Sequence, residues 1–420
     1  MRTVIKILYV ALNITPLVFA SFDNPHFYRA AYLWPEPRIE QDWLTTFDCS
    51  FGSGTTTKGY NSDGKKVSLL DIFGTQNMIA FGKNAPDLEP ENELDALLIA
   101  LSKLPADNEF AHLAFTGNFH IVEFMLHYYQ NLIHGFFLHF HLPIRILRID
   151  EIGYKDLSPL AGPFTAYNST WQELLKNLKA IFNRHDIHIN STMNAGVGDL
   201  TMLAGWTWNY QGTTVWDYVD ITGQWGFLAP TGKRKNIDNP FELPLGYNGY
   251  WGVPVSFDLS AGILEWITMG FHVGALFLLN RTSTERIQTA PDQTGFIKLT
   301  KAKVCIDPGT VWQASVYAKA DHIARGFSFI LGYSFNTRDR SIIEGSSFIP
   351  LTLRKLNKDP QLGHWRIHTI HVNFEYDFSC MRTDKLPHVG LWCNITTGGM
   401  RIFDTLMTAP YLGIDLSWCF

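Results

Sequence analysis

Residues 409–420 read APYLGIDLSWCF. Leu412, Ile414, Leu416, Trp418 and Phe420 fall on one face of an extended strand, and Tyr411, Gly413, Asp415, Ser417 and Cys419 fall on the other. Successive side chains of a strand point to opposite sides. One face is therefore apolar along its whole length, and the other is small or polar. In water such a strand would be an aggregation hazard. A strand with lipid on one side and a lumen on the other requires this pattern.

Working back from this strand, the same alternation recurs. In 370–379, Ile370, Val372, Phe374, Tyr376 and Phe378 oppose Thr369, His371, Asn373, Glu375 and Asp377. In 326–336, Phe327, Phe329, Leu331, Tyr333 and Phe335 oppose smaller residues, and 251–263 and 267–280 behave alike. Shorter cases lie near 43–53, 113–124, 135–146, 198–210, 215–229, 310–320 and 387–396. The reading is an all-β chain, an antiparallel transmembrane β-barrel of about twelve strands (twelve to fourteen), an even number as single-chain barrels of this kind have. The last strand must close against the one that begins near Trp43.

Connection lengths support the barrel. Short links are expected near 211–214, 264–265, 321–325 and 380–386. Long ones are expected near 54–112, 147–197, 231–250, 281–309, 337–365 and 397–408. Short periplasmic turns alternate with long external loops in outer-membrane barrels. Trp43, Trp216, Trp251, Trp266, Trp312, Trp365 and Trp418 fall near proposed strand ends, where an indole meets both lipid and water. Residues 170–184 carry Trp171, Leu174, Leu175, Leu178, Ile181 and Phe182 at helical spacing, with Ser169 and Thr170 as N-cap candidates. A second helix is expected over 91–104.

Composition agrees with an exported membrane protein. Charged residues make up 17% of the 420-residue chain and aromatic residues 14%, with 13 tryptophans. Residues 1–20 read as a signal peptide, with Arg2 and Lys6 ahead of an apolar run and small residues near its end. Beyond it no apolar stretch is long enough for a spanning helix. Residues 21–42, rich in proline and aromatics, read as a periplasmic or plug segment, and 43–420 as the outer-membrane barrel. Removing 1–20 takes away two basic residues and no acidic one, so the net charge of −5 becomes −7. That balance argues against a nucleic-acid partner. The five cysteines, Cys49, Cys305, Cys380, Cys393 and Cys419, show no metal-ligand spacing, so no metal and no cofactor are expected. The segment 226–234, GFLAPTGKR, is not a phosphate loop, because the glycine spacing is wrong and Arg234 stands where Ser or Thr is needed.

The lumen face is read as carrying Asp199, Thr201, Asp220, Gln224, Ser256, Asp258, His272, Glu375, Asp377 and Asp415, opposed by Arg145 and Lys319. His139 and His141 belong to the same face, in a region that also holds His112, His120, His127 and His134. Such residues suit either a permeation path or an interior hydrogen-bond network. Partners expected are outer-membrane lipid, the outer-membrane assembly machinery and an unidentified small solute.

The run Gly196-Val197-Gly198-Asp199-Leu200-Thr201, with strands to Tyr210 and Ala229 and then Pro230-Thr231-Gly232, resembles the FadL-type long-chain fatty-acid transporter group and the related channels of aromatic-compound degradation. The resemblance implies a bacterial outer-membrane channel, a porin-like barrel that passes small apolar molecules without an energy source. It also implies that Trp418 and Phe420 serve as the assembly signal. The chain differs from the group in its strand count and in lacking a Gly/Ser/Ala-rich N-terminal hatch. Competing readings are a structural or adhesive barrel with a filled lumen, and an outer-membrane lipase. A lipase would need a His and a Ser together on the lipid-facing rim.

Overall fold

A computed structural model describes residues 43–83, 88–105, 109–159, 164–211, 216–263, 266–324, 326–346, 353–378 and 385–417. The signal-peptide and plug expectations for 1–42 lie outside the described residues, as do Trp418 and Phe420.

Twelve antiparallel strands form the wall: β1 (Leu44–Tyr60), β2 (His112–Asn131), β3 (Phe136–Asp156), β4 (Leu200–Tyr210), β5 (Tyr218–Ala229), β6 (Gly252–Ile263), β7 (Ile267–Leu278), β8 (Thr310–Ala324), β9 (Phe327–Arg338), β10 (Trp365–Asp377), β11 (Lys385–Met400) and β12 (Ile402–Ser417). Each pairs with the next, and β1 pairs with both β2 and β12. The sheet is therefore a closed barrel without a free edge, the arrangement that satisfies every backbone group of a β-structure in lipid. Closure runs from Leu44 opposite Ser417 to Tyr60 opposite Ile402.

Alternation sets which way each side chain faces. On β6, Val253, Val255, Phe257 and Leu259 are exposed, while Gly252 and Asp258 are buried. On β4, Trp206, Trp208 and Tyr210 point out and Thr201, Gly205 and Thr207 point in. On β12, Leu412 and Ile414 are exposed, whereas Tyr411 is buried. Exposed apolar side chains continue around the wall through Phe47, Ile146, Trp225, Phe271, Val316, Leu331 and Leu391. A belt of this size is an interaction surface, and around a closed barrel it is the face that meets acyl chains. Trp43, Trp216, Trp251, Trp266 and Trp312 are exposed as expected. Trp365 is instead buried, because its β-strand position places it on the inner face.

The two ends differ. At one end the links are short, as at the β2–β3 turn, where His134 and Gly135 both have positive φ. A Cβ on Gly135 would strike the carbonyl of Thr207 in the neighbouring hairpin, so that turn needs glycine. At the other end five long segments cover the mouth. The sixth link corrects the expectation for 397–408: β11 and β12 run on through that stretch and turn at Arg401 alone, with φ 54°. The two strands pair with each other as far as Asn394 opposite Met407; above that β11 stays on β10 up to Met400 and β12 stays on β1 from Ile402, so no loop is left.

The long segments fold into a cap. Short helices α1 (Met78–Gly82) and α2 (Glu93–Ser102) come from the β1–β2 segment, and α3 (Asn168–Arg184) from β3–β4. Trp171, Leu174, Leu178, Ile181 and Phe182 form the buried face of α3, as their spacing requires. The helix starts earlier than its capping residues suggest. A 3-10 turn over Thr165–Tyr167 leads into it, so Ser169 and Thr170 lie inside the first turn and do not cap it. On α2, Asn92 caps by accepting from the amides of Leu94 and Asp95. The rings of Phe81 and Phe182 meet edge-on at 5.6 Å between centroids. This core runs down into the upper lumen through Phe119, Ile121, Phe403 and Met407. A three-stranded sheet of Arg281–Ile287, Thr300–Asp307 and Ile342–Ser346 stands beside it.

Candidate functional site

Below the cap, the inner wall changes from apolar to polar. On β2 the inward series passes from Phe115, Phe119 and Ile121 to Glu123, His127 and Asn131. On β3 it passes from Ile149 and Leu147 to Arg145, His141 and His139. Each polar residue here needs partners, because water is largely shut out.

One group lines a cavity of about 90 Å³. Thr201, Gln224, Ser256, His272 and His141, five of the expected lumen residues, contribute to it, together with Leu203, Leu228, Leu276, Val311 and Gln313. Tyr247 from the β5–β6 segment covers it on the cap side. Asp258 lies next to it and accepts a hydrogen bond from His272 Nδ1 at 2.5 Å. The lining is apolar with a few convergent polar groups, the make-up of small-molecule sites.

The other expected residues are spread around the wall. Toward the short-turn end, Asp220 accepts from Asn209 at 2.6 Å, and the Thr207 and Thr222 hydroxyls bond at 2.8 Å. Glu375 accepts from the Tyr411 hydroxyl at 2.5 Å. Asp415 accepts from the Thr46 hydroxyl at 2.6 Å. Asp377 is half-buried near the end of β10. Lys319 pairs with Asp321 at 2.9 Å. Arg145 is wholly buried and paired with Glu123 at 2.5 Å, and its other arm donates to the Leu245 carbonyl at 3.2 Å. That link ties the wall to the β5–β6 segment.

Asp199 is not on the wall. It sits just before β4, buried, and its two oxygens accept from the amides of Gly232 and Tyr247 at 2.9 and 2.5 Å. The Thr231 hydroxyl donates to the Gly198 carbonyl at 2.6 Å and accepts from the Leu200 amide at 3.0 Å. The two motifs at 196–201 and 230–232 thus meet, and together they hold the β5–β6 segment over the lumen. The carboxylate is consumed by backbone amides, so its role here is to anchor.

Sequence reading singled out His139 and His141 but not their neighbours. His127 stands directly opposite His141 in the β2–β3 pairing. Asp48, on β1, joins His127 Nδ1 at 3.0 Å and His388 Nε2 at 2.8 Å. On the far side His371 bonds Ser334 at 2.7 Å and Asn394 at 2.8 Å. The signal for His127 was present. A tight turn over 132–135 puts Asn131 opposite Phe137, and counting back four residues on each strand brings His127 to His141. Nothing local could have brought Asp48 and His388 to it, because one is 79 residues away and the other is farther still.

No family model matches the sequence, and no curated protein matches it. Among solved structures, the chain is similar to an outer-membrane channel from Pseudomonas putida F1, with 14% identity and a TM-score of 0.46 over 90% of this chain and 99% of that one. It is also similar to the Pseudomonas putida toluene transporter TodX (9% identity, TM-score 0.30, 96% of each chain) and to a Pseudomonas aeruginosa FadL homologue (7% identity, TM-score 0.32, 96% of this chain and all of that one). The twelve-strand barrel stands on its own strand pairing.

Proposed function

We propose that this chain is a passive channel of the bacterial outer membrane for small, largely apolar solutes. The cavity carries the reading: it lies inside a closed barrel with a lipid-facing belt, and Leu203, Leu228, Leu276 and Val311 give it apolar walls, with His141, Thr201, Gln224, Ser256, His272 and Gln313 as polar handles. A water-filled pore would need a continuous polar lining. Here, among the described residues, the cap core fills the upper lumen, which suits an apolar molecule better than a hydrated ion. The lipase reading has little support. His139 and His141 face inward, away from the rim where a barrel lipase would act.

The test uses whole cells with an intact lipopolysaccharide layer, which excludes apolar dyes. Cells making the barrel should take up N-phenylnaphthylamine several-fold faster than cells making Ser256→Trp, whose indole fills the cavity. Equal amounts of folded barrel in the outer membrane are confirmed by heat-dependent gel mobility. Equal uptake by the two strains would sink the channel reading.

A further inference from the structure

We propose that His127, His139 and His141 form a transition-metal site on the inner wall of the barrel. It is independent of the transport reading, since a barrel that passes nothing could still bind an ion there.

The three side chains come from one hairpin. His139 and His141 are two residues apart on β3 and share its inner face, and His127 faces them from β2. All three are buried, His139 to 1% exposure. One nitrogen from each lies within 4.8 Å of the other two. A tetrahedral ion with bonds of about 2.0–2.1 Å places its ligand nitrogens roughly 3.3 Å apart, so small rotations about χ2 complete the geometry. The strands that hold the imidazoles are rigidly paired on both sides.

Asp48 supplies the orientation that metal-bound histidines require. It takes the Nδ1 hydrogen of His127, which fixes the tautomer and leaves the Nε2 lone pair pointing inward. Asp48 is itself held by His388. Gly413 makes this possible: a Cβ there would collide with both the Asp48 carboxylate and the His388 ring. The Nε2 of His127 is in contact with the Nε2 of His139. Two imidazole nitrogens facing one another share either a hydrogen or a metal ion. A proton would serve two, but a third donor, from His141, is what a metal ion uses. Nδ1 of His139 has no hydrogen-bond partner among the described residues. Three neutral imidazoles favour zinc, copper or nickel over calcium and magnesium. His141 also lines the cavity, so an ion held here is reachable from the lumen.

The experiment uses the full barrel, folded in detergent and stripped with chelator. Zinc and cobalt are titrated in separately, and bound metal is counted by mass spectrometry. The expected result is one ion per chain, with visible cobalt absorption of the intensity given by a four-coordinate site. His139→Ala should weaken binding at least 100-fold, and Asp48→Asn about 10–100-fold. His272→Ala, which alters a lumen histidine outside the set, should leave binding unchanged. X-ray absorption on zinc-loaded wild type needs no variant, so it decides the matter even if a substitution blocks folding. Three imidazoles around zinc support the site. Sub-stoichiometric binding, a shell without imidazole, or equal loss with His272→Ala overturns it.

Discussion

The barrel wall and the cap handle apolar residues in opposite ways. On the wall, the large apolar side chains are the exposed ones, such as Phe257, Trp225 and Leu412. In the cap, Leu178, Phe182 and Phe241 are wholly buried. One chain therefore obeys two solvents. Lipid removes the penalty for outward apolar groups and shifts the cost to the interior, where every polar group must find a partner. Water restores the ordinary rule a few residues higher on the same strands. β2 and β3 carry both regimes, at 20 and 21 residues long. A strand needs only about 9–11 residues to cross the bilayer.

The strongest test of this contrast is at the joint between the two regions. Arg145 and Glu123 are both buried, and Arg145 also reaches the cap segment through the Leu245 carbonyl. Removing one partner of such a pair leaves an unpaired buried charge and costs about 3–5 kcal/mol. Arg145→Met should lower stability by that amount in urea unfolding from lipid vesicles, followed by tryptophan fluorescence. Adding Glu123→Gln should recover part of the loss. A single variant as stable as wild type would mean that wall and cap are not joined there.

A smaller effect sharpens the comparison directly. Phe257→Arg, at the middle of β6 on the exposed face, should cost about 2–4 kcal/mol in the same assay. The reverse exchange in the cap, Lys179→Leu on the exposed face of α3, should change stability by less than about 0.5 kcal/mol. If both exposed positions respond alike, the outer face of the wall is not in lipid.

A third effect is a pH dependence of the cap. Burial pushes the Asp71 carboxyl up to about 7, only partly offset by the hydrogen bond it accepts from the Phe115 amide. The folded cap then holds the proton more tightly than the unfolded chain, whose aspartate titrates near 3.9. Cap stability is highest in acid, falls as pH rises between these values, and reaches its floor above about 7. Amide exchange at Phe115 should slow as pH is lowered from 7.5 to 5, after correction for the intrinsic rate. Asp71→Asn, which keeps the acceptor oxygen, should flatten that profile. A flat profile in wild type would count against a buried, protonated carboxyl.

How far the sequence reached follows from the range of the physics involved. Alternation is a property of neighbouring residues, so the twelve strands, their inward and outward faces, the closure of β12 on β1 and the α3 helix were all legible. Strand ends were less so. β2 and β3 continue above the lipid, where apolar residues turn inward to meet the cap. The loop expected at 397–408 proved to be a turn at Arg401, because β10 and β1 keep β11 and β12 extended up to it. Asp199 shows the same limit. Its place beside a strand suggested the lumen, yet partners 33 and 48 residues away claim both its oxygens.

The alternating pattern of 409–417 by itself determined that this chain forms a wall with two unlike faces, since a period of two admits no other use of so many outward apolar residues. Only the tertiary structure decided what the inner face does. It set His127 against His139 and His141, brought Asp48 to His127, and laid Tyr247 over the cavity. Those contacts join strands and loops far apart in the chain, and local preference carries no information about which of many polar residues will share one enclosed space.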